Sequence, residues 1–445
     1  MTTWWCELAV IDGAVEPGVT ITATNGRISS VSPRTQPTPD DVQLDGLTVA
    51  GFANAHSHAF HRALRSRVQA DRGSFWTWRE IMYRAAERLD PDSYHSLARA
   101  VFAEMAQAGT AVVGEFHYVH HQPNGEHYAD PNAMGNALLA AADDAGIRIT
   151  LLDTIYLHGG LDVDGYLPAA GAQLRYRDDS AGAWAERVER LADSETHRIA
   201  AAIHSVRAVD PDAIAFAAAW AEANDAPLHA HVSEQPAENA QCQAHHRCSP
   251  VELLDQHGAL GERFTAVHAT HLSPTDIDRL ASTSSGVCMC PTTERDLGDG
   301  IGPTTELAAA HVGLSLGSDS HAVIDQMVEA RAVELHERLR SQQRGLHSAD
   351  ELLTMATLHG HRSLGWSDAG TITVGNRADL TTISLRSTRT AGSSPAHAVE
   401  AAVFASTSSD ITSVVIDGAT VVNGGEHTSI DVERELAVAI EELLR

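Results

Sequence analysis

His56-Ser57-His58 closes an apolar run, Leu47-Thr48-Val49-Ala50-Gly51-Phe52-Ala53-Asn54-Ala55. Side chains two apart on a strand point to the same side, so the end of a buried strand here would present two imidazoles to one metal ion. A chain with 26 histidines also produces such pairs by chance. Three later segments repeat the construction of an apolar run with a polar end: Pro227 to Glu234 with His229, His231 and Glu234, Phe264 to His271 with His268 and His271, and Val312 to His321 with Asp319. Each alone reads equally well as a core strand with a polar tip. Four in order, each at a strand's C-terminal end, match the place where a β/α barrel carries its reacting groups, and together they predict a catalytic metal site.

The elements that must position these groups alternate between short apolar strands and amphipathic helices. After the run that ends at His58, strands are expected at about Ala111 to Phe116, Arg148 to Asp153, Arg198 to Ile203, Leu228 to His231, Thr265 to His268, Gly286 to Met289 and Leu314 to Gly317. That makes eight, the number that closes a parallel barrel. Tyr94, Leu97, Val101, Met105 and Ala108 share one helix face behind an Asp90-Pro91-Asp92 start signal. The two chain ends instead alternate in polarity and are rich in Val, Ile, Thr and Gly, as strands of a small β-sandwich would be. The expected class is α/β, a (β/α)8 barrel over residues 50–365 with a β-sandwich built from 1–49 and 366–445.

Composition bounds the function. A chain of 445 residues is long enough for one large barrel with an accessory domain. Its formal charge of −28 argues against nucleic acid or an anionic membrane as partner. No segment is apolar for long enough to span a bilayer and the N-terminus lacks a basic region followed by an apolar stretch, so a soluble, cytoplasmic protein is expected. The five cysteines form no paired C-x-x-C knuckles, and Cys288 and Cys290 alternate in an apolar strand as core residues do. All 31 cationic side chains are arginines.

The order of H-x-H, a fifth-strand His followed by Glu, a sixth-strand His and an eighth-strand Asp resembles the amidohydrolase superfamily, and Gly370 to Leu380 resembles its return into the β-sandwich. Within it, Asn54 to Phe60, Phe75-Trp76-Thr77-Trp78-Arg79-Glu80, Glu115 to His121 and Cys290-Pro291-Thr292-Thr293-Glu294 resemble the formimidoylglutamate deiminases over nearly the whole chain. The resemblance implies that His56, His58, His231 and Asp319 bind one divalent metal per chain, zinc foremost, although iron and manganese suit the same donors. Some members of the superfamily bridge two metals with a carboxylated lysine, which a chain without lysine cannot form. The implied reaction is hydrolytic deimination of N-formimino-L-glutamate to N-formyl-L-glutamate and ammonia. Metal-activated hydroxide would attack the N–CH=NH carbon, with Glu234 as proton shuttle, Asp319 as a second proton acceptor and His268 as donor to the attacked centre. A homodimer is also implied.

A substrate with two carboxylates needs cations in an otherwise acidic chain. The resemblance assigns substrate contacts to Arg79, Tyr118, His204 and Arg207, and guanidinium groups suit carboxylates because they bind through two parallel hydrogen bonds. Arg84 competes with Arg79 for that role. At the position where the family carries Gln, this chain has His61, which lacks an amide's paired donor and acceptor and points to a shifted substrate preference. Two other readings stay open: an aminohydrolase acting on a purine or pyrimidine ring, and a barrel that holds metal without catalysis.

Overall fold

The apolar run that ends in His56 and His58 is two strands rather than one. In the computed structural model, which describes residues 1–68 and 75–445, Val42–Ala50 belongs to a sheet made by the chain ends and Phe52–Ser57 begins the barrel. The chain changes sheet at Gly51, where a Cβ would lie 2.8 Å from the Ala111 Cβ and 3.0 Å from the Asp379 Cβ. Only a residue without a side chain lets the two sheets approach this closely. Of the Phe75 to Glu80 block, the side chains of Phe75 and Trp76 lie outside the described residues.

The barrel strands are β1 (Phe52–Ser57), β2 (Thr110–His117), β3 (Arg148–Ile155), β4 (His197–Ile203), β5 (Leu228–Val232), β6 (Phe264–His268), β7 (Gly286–Met289) and β8 (Leu314–Leu316). They pair in parallel in sequence order from β1 to β8. The seam between β8 and β1 is drawn together just beyond the strands: the Asp319 amide donates to the His56 carbonyl (3.0 Å) and the His58 amide to the Asp319 carbonyl (3.2 Å). Asn54 locks the same seam, accepting from the Ser318 amide and donating to its hydroxyl at 2.9 and 2.7 Å. Every residue of β2 and β3 is buried, as expected of strands covered on both faces.

The helix expected behind Asp90 spans Pro91–Gln107, with a reciprocal cap between Asp90 and Ser93 (2.8 and 2.9 Å), and buries Tyr94, Leu97, Val101 and Met105. The chain ends meet in a separate sheet of eight strands, in which Leu380–Ile383 runs antiparallel to Val42–Ala50. Trp4, Cys6, Val19, Ile21, Leu44 and Leu380 give this sheet a core of its own. Arg148, at the start of β3, is wholly buried and donates to Asp379 and, at 3.0 Å, to Asp417, so a charged cluster ties the barrel to the terminal sheet. All five cysteines are buried and free, with Cys288 and Cys290 in the core. No helix among the described residues is long and apolar enough to cross a membrane.

Candidate active site

The C-terminal ends of β1, β5 and β8 bring His56, His58, His231 and Asp319 together. His231 Nε2 lies 3.2 Å from His56 Nε2, and Asp319 Oδ1 lies 3.4 Å from the Nε2 atoms of both His56 and His58. His58 Nδ1 donates to the Phe116 carbonyl and His231 Nδ1 to the His204 carbonyl, each at 2.9 Å. A carbonyl only accepts, so both protons sit on Nδ1 and both Nε2 lone pairs face inward. Burial holds the pKa values of His58 and His231 well below the ordinary imidazole range, which keeps the rings neutral. Burial would raise the Asp319 pKa, but its contact with His56 and the charge of His268 hold it below the usual carboxylate range. Inward lone pairs and a carboxylate at these distances repel one another unless a cation lies among them, and three imidazoles with one carboxylate suit a divalent metal.

Around this cluster the backbone is forced into the left-handed region at Ser233 (φ 52°), His268 (φ 69°), Ala269 (φ 51°) and Asp319 (φ 43°). Such conformations cost energy and persist where surrounding structure over-determines them, which at the ends of β5, β6 and β8 marks a site. The resulting turns aim Glu234 and His268 at the cluster: His268 Nε2 is 4.0 Å from Glu234 Oε1 and 3.8 Å from Asp319 Oδ2. Burial raises the Glu234 pKa, as suits a carboxyl that both takes and gives a proton. Burial opposes charge on His268, but Glu234, a hydrogen bond to Glu294, and Asp319 raise its pKa well above the usual value.

A cavity of about 220 Å³ opens above the cluster, lined by every expected substrate residue, His61, Arg79, Tyr118, His204 and Arg207, and by His58, His231, Glu234, His268 and Asp319. His56 lies beneath it. His61 shares a hydrogen bond of 3.0 Å with the Tyr118 hydroxyl, and burial lowers its pKa to about 3, so it is a neutral ring. Arg207 lies with Nη2 4.0 Å from Glu234 and Nε 3.7 Å from Glu238. Arg79 packs its guanidinium 5.0 Å from the Tyr83 ring centroid and lines the cavity, whereas Arg84 does not. His271 does not line the cavity and bonds the Asp299 carbonyl at 2.8 Å.

Sequence reasoning missed several participants. Glu238 stands four residues beyond Glu234, in the first turn of the helix Pro236–His246, a spacing that could have revealed it. Glu294 sits in the Cys290 to Glu294 block without a role attached. Tyr156, Tyr176 and Trp78 wall the cavity, and nothing local separates such aromatics from core residues. Glu115 accepts from the Ser57 hydroxyl and the Ala59 amide at 2.5 and 2.6 Å, holding the segment that carries His56 and His58, and burial pushes its pKa to about 8. His117 and His120 face each other at 3.3 Å beside Asp153, but that carboxylate is occupied by Arg187 (2.8 and 2.9 Å), so this second histidine cluster is an ion-pair core rather than a metal site.

The family model described as the amidohydrolase family matches residues 47–421. A formimidoylglutamate deiminase of Pseudomonas aeruginosa is 36% identical over 397 residues, covering 86% of this chain and 86% of that protein. A 5'-deoxyadenosine deaminase of Methanothermobacter thermautotrophicus is 28% identical over 425 residues, covering 93% and 91%. Among solved structures, an amidohydrolase from Brucella melitensis superposes with a TM-score of 0.92 at 32% identity, each chain covered completely.

Proposed function

The chain belongs to the amidohydrolase family, and from that premise we propose that it is a metal-dependent hydrolase that removes ammonia from N-formimino-L-glutamate, leaving N-formyl-L-glutamate. One observation carries this reading: Arg79 and Arg207, with His61, Tyr118 and His204, line the same small cavity as Glu234, His268, His58, His231 and Asp319, with His56 against the same cluster. A dicarboxylate that ends in an amidine has charge to satisfy both guanidinium groups and a carbon to present to the cluster. Two guanidinium groups in the cavity suit a small anionic amino-acid derivative as partner, while the formal charge of −28 disfavours nucleic acid.

His56, His58, His231 and Asp319 would hold one divalent ion, with zinc favoured by the nitrogen-rich donor set. Such an ion lowers the pKa of water toward neutrality and so supplies a nucleophile at ordinary pH. Glu234 accepts the proton of the attacking water and gives it to the imino nitrogen; Asp319 accepts the second proton, from the hydroxyl of the tetrahedral centre, and this proton passes on to the nitrogen, so that the C–N bond breaks and ammonia leaves; water supplies the oxygen of the formyl product. His268 donates to the developing tetrahedral centre. Arg207 and Arg79 fix the carboxylates and hold the amidine carbon over the cluster.

Ammonia release by metal-quantified protein tests the reading, with N-formimino-L-glutamate beside N-formimino-L-aspartate, guanine, cytosine and adenosine. Turnover of the glutamate compound with about one metal per chain is expected. Turnover of a nucleobase or nucleoside alone would overturn the substrate and leave the hydrolase; no turnover by fully metallated protein would overturn the activity and point to His61 as the cause of a changed substrate.

A further inference from the structure

His268 is held from behind by a group that the mechanism above does not use. Its Nδ1 faces Glu294 Oε1 at 3.4 Å, and the same oxygen accepts the Cys290 amide at 2.8 Å. Glu294 is 2% exposed and stands in the short helix Pro291–Leu297 that follows β7. Its carboxylate is therefore set by backbone rather than free to rotate. On the other side of the ring, Nε2 faces Glu234 and Asp319. The backbone of His268 and of Ala269 is left-handed, so the strand itself supplies no ordinary rotamer environment for the ring.

We propose that Glu294 is the positioning residue for His268: its carboxylate fixes the imidazole with the Nδ1 proton turned toward β7 and Nε2 presented to the reacting centre. An ionised carboxylate accepts and never donates, so a ring bonded to it through Nδ1 must carry its proton there. The effect is that of the orienting acid behind a catalytic imidazole, supplied here by the segment after β7 to a ring at the end of β6. The proposal rests on the reading that His268 faces the reacting carbon. It is independent of which substrate supplies that carbon, and it gives the Cys290 to Glu294 block a function.

The test uses zinc-loaded full-length protein with ¹⁵N-labelled histidine. The Nδ1–H resonance of His268, identified by its loss in His268→Gln, is expected to be lost in Glu294→Ala and retained in Glu294→Gln, whose amide oxygen still accepts. Turnover is expected to follow: Glu294→Ala lowers kcat about 10–100-fold with KM and metal content held, and Glu294→Gln recovers most of it. In a His268→Gln background, Glu294→Ala should cost nothing further, because both changes remove one function. An Nδ1–H resonance undisturbed in Glu294→Ala would overturn the proposal, as would an equal kcat loss in both backgrounds. If zinc-loaded wild type turns over no substrate of the panel, the proposed function fails while the resonance still decides the role of Glu294.

Discussion

At the scale of single residues, Glu234 and Arg207 separate chemistry from recognition. Glu234 is not needed to hold the ion, so Glu234→Gln should keep full metal content while kcat falls by about 10²–10⁴, the range for loss of a positioned acid–base group. Metal analysis and ammonia release on the same sample check this; undiminished turnover would remove Glu234 from the proton path. Arg207 reaches toward the cavity between Glu234 and Glu238, whose pKa burial pushes up to about 7 even though Arg207 draws it down. Replacing it with alanine removes charge-assisted hydrogen bonds of about 1.5–3 kcal/mol each. Arg207→Ala should therefore lower kcat/KM for the dicarboxylate about 10²-fold, and for formamidine, which has no carboxylate, by less than about threefold. Equal losses on both substrates would show that Arg207 serves the reacting end.

At the scale of elements, the site depends on how closely β8 is drawn to β1. Asp319 bonds through its backbone to both His56 and His58, so one short segment sets the spacing of all three side chains. Gly317 makes that approach possible: a Cβ there would lie 2.6 Å from the His56 Cβ, 2.9 Å from the His56 carbonyl oxygen and 3.0 Å from the Cys290 Sγ. None of these atoms is the mobile tip of a long side chain. Gly317→Ala must therefore push β8 away from β1, at an overpacking cost of about 1–3 kcal/mol, and weaken metal binding along with stability. Thermal unfolding with and without chelator reads both effects; unchanged metal affinity would mean that the ligands do not depend on the fit at this seam.

At the scale of the whole molecule, Arg148 joins the barrel to the terminal sheet through Asp379 and Asp417. Deleting one member of a buried pair costs up to about 3–5 kcal/mol by stranding the other charge, and here Arg148 would keep only the half-buried Asp417. Asp379→Ala should lower stability by up to that amount, measured by denaturant unfolding, while the folded fraction keeps its kcat. Burial alone would raise the Asp379 pKa, but Arg148, with His361 and the Asp417 amide, holds it below the usual value. A carboxyl depressed in the folded state contributes stability above its unfolded pKa of about 3.9 and loses that contribution as pH falls toward the folded value. The wild-type denaturation midpoint should therefore fall on acidification below about pH 4, and Asp379→Asn should show a shallower fall. Parallel slopes would assign acid lability to other carboxylates.

Much of the site could be read along the chain because strand periodicity and strand ends are local properties. The H-x-H spacing places two imidazoles on one side whatever surrounds them, and the alternation of apolar runs with polar tips locates His231, His268 and Asp319 at the same end of a parallel barrel. The helix behind Asp90 was equally local, written in its cap and in a three-and-four spacing. Tertiary structure alone divided the run before His56 into two strands at Gly51, since that break exists only where the barrel meets the terminal sheet. It likewise selected Arg79 over Arg84 as a cavity residue, placed Tyr156 and Tyr176 in the wall, and set Glu294 behind His268. Each of those outcomes is an approach between residues far apart in sequence, decided by closure of the barrel and by left-handed turns at its strand ends, neither of which leaves a periodic trace in the amino acids.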